Sequence, residues 1–209
     1  MLNDDGRCYS FDSRGSGYGR SEGVSTIILK RLDDALLAGD PIRAIIRNSG
    51  INQDGKTNGI LLPSSESQAE LARSMYEAID LDPNTVDYIE AHGTGTAAGD
   101  AAELTSIGAV FCDDIRRTKP LYVGSVKANI GHLESASGLA GILKTVMAME
   151  KRTIPPVPNI LKLKENLNLE KHNIVVSDPN LRNVKTLTLL TRYHKSCSSG
   201  QVTDFSTPR

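Results

Sequence analysis

Residues 86–100 read VDYIEAHGTGTAAGD. Apolar positions alternate as far as His92, and the chain then runs into small residues and glycines. The alternation predicts a buried strand over 86–91 with an imidazole at its C-terminal end. Open α/β sheets place their sites at that end of a strand. Gly93 to Ala98 also fit the G-x-G-x-x-G/A fingerprint of a dinucleotide-binding turn, and Asp113 and Asp114 stand near the distance expected of a ribose-binding acid. The fit is loose and gives His92 no task. In the other reading His92 is a reactive group. Thr94 and Thr96 then offer hydroxyls to an amide-bearing substrate arm, which the glycines admit close to the backbone. A lone histidine at such a place is more often satisfied by local backbone, so the choice rests on a second one.

The second lies forty residues on, in SVKANIGHLESASG (125–138). A strand over 120–126 leads through a short turn to His132, which the spacing predicts to enter a long helix. The partial positive charge of a helix N-terminus disfavours imidazolium and keeps the ring neutral. A neutral imidazole can donate one N–H to a developing oxyanion. Lys127 and Glu134 flank His132 as partners that would orient it, although such a pair in solvent contributes under about 1 kcal/mol. Two histidines at matching strand ends point to one pocket polarising one carbonyl.

Outward from these motifs, β-branched residues predict a buried strand over 23–32, followed by a short helix stopped at Gly39. A second strand is expected over 42–48, and a helix within 64–83 with capping-box spacing at Ser67 and Glu70. A helix over 100–111 follows. The apolar stripe Ala136, Leu139, Ala140, Leu143, Val146 and Met147 predicts another helix, and RTIPPVPNI (152–160) reads as an extended connector. Strands alternating with helices argue for a layered α/β fold. The 209 residues suffice for one domain, and a net charge of −1 gives no reason to expect nucleic acid or a membrane as partner. No apolar run reaches the length of a membrane span, and no signal pattern opens the chain, which makes a cytoplasmic location the expectation. Cys8, Cys112 and Cys197 share no metal-binding spacing, so no metal site is expected and the thiols read as separate and reduced.

EAHGTGT (90–96) and SVKANIGHLE (125–134) resemble the two histidine motifs of β-ketoacyl synthases, as found in the ketosynthase domains of type I polyketide and fatty acid synthases. DGRCYSFDSRGSGYGRSEG (5–23), INQDGKTNG (51–59) and RTIPPVPN (152–159) resemble the same domain in the same order. Together with LPSSESQAEL (62–71), the blend looks most like fungal highly reducing polyketide synthases, over about residues 2–180. The ordered motifs displace the dinucleotide reading. The resemblance implies a thiolase-like αβαβα layered fold, incomplete here and consisting mainly of the C-terminal half. It implies a decarboxylative Claisen condensation between an enzyme-bound acyl thioester and a malonyl thioester. The malonyl group arrives on the phosphopantetheine arm of an acyl carrier protein, and no directly bound cofactor is implied. His92 and His132 would hydrogen-bond the malonyl thioester oxygen, Lys127 would support them electrostatically, Thr94 and Thr96 would contact the arm, and Glu134 would assist. A homodimer is the implied assembly of the complete domain.

Two departures accompany the resemblance. The family's nucleophilic cysteine sits in a TACSS-type motif ahead of the segment matching Asp5–Gly23, and the sequence shows none there. KSCSSG around Cys197 looks like that motif but falls after both histidines, in a polar stretch. From about residue 181 the pattern changes abruptly, as after a frame shift or a retained intron. The expected organisation is therefore a partial ketosynthase domain over 1–180 and a divergent, poorly ordered tail over 181–209, the final strands of the family being absent. Open sheet edges and marginal stability are expected to follow. The alternative is a catalytically dead remnant, or an interaction module of a synthase.

Overall fold

The computed structural model describes residues 1–57, 59, 62–112, 117–176, 189–195 and 199–206. Its elements in chain order are α1 (Leu32–Ala38), β1 (Ile45–Gln53), α2 (Ser65–Glu77), β2 (Tyr88–Glu90) and α3 (Ala97–Phe111). Then come β3 (Leu121–Gly124), α4 (Lys127–Ile130), α5 (Ser137–Lys151), β4 (Ile174–Val176), β5 (Leu189–Lys195) and β6 (Ser199–Ser206). The strands form one sheet in the order β1-β6-β5-β2-β3-β4. β5, β2, β3 and β4 run parallel, and β6 lies antiparallel to both β1 and β5.

Alternation along β2 divides the core. Ile89 packs with Leu71, Met75, Leu104, Ile107 and Phe111 of α2 and α3. Tyr88, pointing the other way, packs with Ile142, Val146 and Met149 of α5 and with Ile154. Helices therefore cover both faces of the parallel strands. β2 and β3 are accordingly almost wholly enclosed.

Several expectations are corrected. Residues 23–30 form no strand, and Val24 and Ile28 stand 96% and 95% exposed. The β-branched run has no partner strand among the described residues, and propensity without a partner does not make a strand. β1 runs from Ile45 to Gln53, past the end expected at residue 48. A Cβ on Gly50 would lie 2.4 Å from Met75 Sδ, so glycine lets α2 cross the strand closely. The N-cap of α2 is Ser64, whose hydroxyl accepts from Ser67 N–H at 3.1 Å, three residues before the expected capping pair. The helix expected to start at Asp100 starts at Ala97. His132 does not enter a long helix. α4 ends after one turn at Gly131, and α5 begins only at Ser137.

β5 and β6 fall within the stretch expected to form a poorly ordered tail, and their backbones pair between β2 and β1. Cys197 lies outside the described residues.

Candidate active site

β2 and β3 are parallel neighbours in register, Glu90 opposite Gly124, so both chains leave the sheet at the same edge. This places the 91–96 loop beside the 125–132 segment. Ser125 joins them: its hydroxyl donates to the His92 carbonyl at 3.2 Å and accepts from Lys127 N–H at 3.3 Å. The His92 and His132 rings meet edge to face, with centroids 5.4 Å apart at 84°. The Tyr18 ring lies 5.1 Å from His132.

The backbone of His132 is clasped by the N-terminal segment. His132 N–H donates to the Gly19 carbonyl at 2.8 Å, and Ser21 N–H donates to the His132 carbonyl at 2.9 Å. Gly131, at φ +76°, makes the approach possible, since a Cβ there would stand 3.0 Å from Ser21 Oγ. The ring is oriented by the backbone of Glu134, whose N–H donates to His132 Nδ1 at 2.9 Å. A neutral ring accepting at Nδ1 carries its proton on Nε2. Burial, helped by the positive charge of Lys127, lowers the His132 pKa from 6.5 to about 4. The ring is thus neutral at ordinary pH, as expected, but through burial and a lysine and not through a helix terminus. The Glu134 carboxylate reaches outward to Arg20 Nε at 3.2 Å.

Lys127 is buried, and its charge acts on the His132 ring. Burial lowers its pKa, and the charges of Glu90 and Glu103 oppose that shift. The same two carboxylates hold the loops. Glu103 of α3 accepts from the N–H groups of His92 at 2.7 Å and Gly93 at 2.9 Å. Glu90 accepts from Val126 N–H at 2.6 Å through one oxygen. Through the other it accepts from Tyr88 Oη at 2.5 Å and Lys144 Nζ at 2.6 Å. Glu90, Glu103, Lys127 and Lys144 therefore form a charge-balanced buried set under the site.

Thr94 and Thr96 place their hydroxyl oxygens 3.3 Å apart. The loop between them has one narrow passage, at Gly95 (φ +86°), where a Cβ would meet Tyr9 N at 2.9 Å. Asp100 accepts from Gly95 N–H at 3.0 Å and Phe11 N–H at 2.9 Å, and Lys164 Nζ lies 2.8 Å from the same carboxylate. All six residues expected at the site thus line one edge of the sheet. Glu90, Asp100, Glu103, Ser125, Lys144 and Lys164 join them without having been singled out by sequence. Cys8 also lies near. Its thiol accepts from Gly19 N–H at 3.3 Å, and burial raises its pKa. Among the described residues no cluster of three or more His, Cys, Asp or Glu side chains could hold a metal ion, and no helix is long and apolar enough to cross a membrane.

Two histidine rings in edge-to-face contact, with a buried lysine close by, thus stand at the C-terminal ends of the parallel strands β2 and β3. The family profile described as "Beta-ketoacyl synthase, C-terminal domain" matches residues 43–161, and the N-terminal domain profile matches residues 1–35. The chain belongs to the β-ketoacyl synthase family, with a partial thiolase-like fold. Among curated relatives, the highly reducing polyketide synthase AFT9-1 of Alternaria alternata is 58% identical over 176 residues, covering 84% of this chain and 6% of that protein. The highly reducing polyketide synthase ltbA of Aspergillus luteorubrus is 53% identical over the same shares. Among solved structures, the ketosynthase from module 6 of the bacillaene synthase of Bacillus subtilis 168 superposes with a TM-score of 0.90 at 36% identity, covering 100% of this chain and 38% of that one. The oxazolomycin ketosynthase domain OzmH KS7 of Streptomyces albus JA3453 gives 0.94 at 29% identity, covering 100% and 37%. The chain spans only a small part of the relatives it matches.

Proposed function

We propose that this chain carries the two-histidine part of a polyketide synthase condensing site and acts on malonyl thioesters. The observation that carries the reading is His132 itself: a neutral ring with Nδ1 engaged by the Glu134 amide and its proton on Nε2, 5.4 Å from His92. Both rings donate to the malonyl thioester oxygen. The bond from the α-carbon to the carboxylate then breaks, carbon dioxide leaves, and the electron pair passes to the enolate whose oxygen the histidines hold. In the complete reaction the enolate carbon attacks an acyl thioester on a cysteine. A carbon–carbon bond forms and the thiolate departs. Preorganised donors of this kind are worth roughly 3–4 kcal/mol each. Lys127 supports the developing negative charge. Thr94 and Thr96 receive the phosphopantetheine arm of a carrier protein, and the complete domain pairs with a second copy of itself.

The enolate-forming half-reaction is testable on the 209-residue chain. Release of carbon dioxide from malonyl-pantetheine is expected, with a loss of about 10²–10³-fold in His92→Ala and in His132→Ala. Release unaffected by either substitution defeats the proposal. One observation favours a non-catalytic interaction module: Val24, Ile28, Leu29 and Leu37 are all largely exposed within one short segment. Absence of any decarboxylation in the parent chain selects that reading.

A further inference from the structure

Lys164 comes from the far side of the PPVPN connector, in a lysine-rich stretch that reads as solvated surface. Its side chain is nevertheless only 8% exposed. The strand-like segment around it is pinned through its own backbone groups. Lys164 N–H donates to the Phe11 carbonyl at 3.0 Å, and Ser13 N–H to the Lys162 carbonyl at 2.7 Å. Asp12 accepts from the N–H groups of Leu161 at 2.6 Å and Lys162 at 3.2 Å. The strap would lie there whatever side chain stood at 164.

The ammonium spends its three protons on three acceptors, the Gly95 carbonyl at 3.2 Å, the Thr96 carbonyl at 3.1 Å and Asp100 Oδ2 at 2.8 Å. Asp100 takes Gly95 N–H through its other oxygen at 3.0 Å. Gly95 is therefore held by its N–H and by its C=O through one buried ion pair, in a left-handed conformation. With the carbonyls of Gly95 and Thr96 both bonded to Lys164, the hydroxyls of Thr94 and Thr96 remain adjacent. A buried ion pair adds little stability compared with an apolar replacement, but it fixes geometry.

We infer that Lys164 is a positioning residue for the 94–96 loop, setting the shape in which Thr94 and Thr96 meet a pantetheine arm. The inference rests on the reading of those threonines as the arm's contacts, and two measurements separate the two. The first is amide hydrogen exchange across 91–100. The second is the affinity for malonyl-pantetheine amide, an unreactive mimic of the arm. Lys164→Met should speed exchange of the Gly95 amide and weaken binding, each by about tenfold or more, as loss of charge-assisted hydrogen bonds implies. Lys164→Arg, which keeps charge and donors, should recover most of both. Lys162→Met, at an exposed pair with Glu165, should change neither. If Lys164→Met fails to fold because Asp100 is left uncompensated, Lys164→Met/Asp100→Asn removes both charges, and its exchange and affinity are then compared with those of Asp100→Asn alone. Exchange and affinity within twofold of the parent in the Met variants overturn the inference. A parent that binds no arm mimic refutes the threonine reading, while exchange still decides whether Lys164 holds the loop.

Discussion

His132 couples the site to pH in a way that can be measured without substrate. Burial and Lys127 lower its pKa to about 4 in the folded chain, against 6.5 when unfolded. Above pH 6.5 both states hold a neutral ring and the group contributes no pH dependence. As pH falls from 6.5 toward 4 the unfolded chain takes up a proton that the folded chain refuses, so stability falls. Below about 4 both states are protonated and the loss levels off. A shift of this size corresponds to roughly 3 kcal/mol in full, of which about 2 kcal/mol has gone by pH 5. The test is His132→Asn, whose side-chain oxygen can still accept from Glu134 N–H while the titrating ring is removed. Urea unfolding free energies of parent and variant, measured from pH 7.5 to 4.5, share every other titration. Their difference should close by about 2 kcal/mol between pH 7.5 and 5. Curves parallel to within about 0.5 kcal/mol across that range would show that His132 is not buried neutral, and the reasoning about its tautomer would fall with it.

Other outcomes follow from the same contacts. Glu103→Ala strands the buried N–H groups of His92 and Gly93, at about 1–3 kcal/mol each; a urea-measured loss under about 1 kcal/mol would contradict their pairing. Gly95→Ala forces a Cβ to 2.9 Å from Tyr9 N at φ +86° and should cost about 2–4 kcal/mol, read as a lower urea midpoint with an unchanged slope. Cys8, buried and with its pKa raised by burial, should resist iodoacetamide at pH 8 until urea unfolds the chain, and labelling at the rate of a free thiol would place it elsewhere.

How far the sequence could be read depended on whether the deciding contact was local. The strand–histidine–glycine pattern at 86–96 was legible because alternation, glycine and imidazole sit within one short window. α2, α3 and α5 were legible from their apolar stripes, though α3 begins three residues early because the Asp100 side chain turns inward to Gly95 and Phe11. The run 23–32 misled because its β-branched residues carry a propensity that only a neighbouring strand could realise. His132 was expected at a helix start because the apolar stripe from Ala136 to Met147 follows it after a short turn, and the break depends on Ser21 and Gly19 from the N-terminal segment. Glu90 and Lys144 did leave a signal, a charge at a position where the strand alternation and the helix stripe each call for an apolar residue. Lys164 left none, since its burial comes from chain it meets only after folding.

In the proposed reaction both histidines donate to one thioester oxygen. Isotope-edited infrared spectroscopy of acetyl-pantetheine, labelled with carbon-13 at the thioester carbonyl and bound to the chain, reads that polarisation directly. The carbonyl stretch is expected at lower frequency than in water, moved part of the way back by His92→Ala, part by His132→Ala, and fully by the double substitution. A bound carbonyl whose frequency neither substitution alters would contradict it.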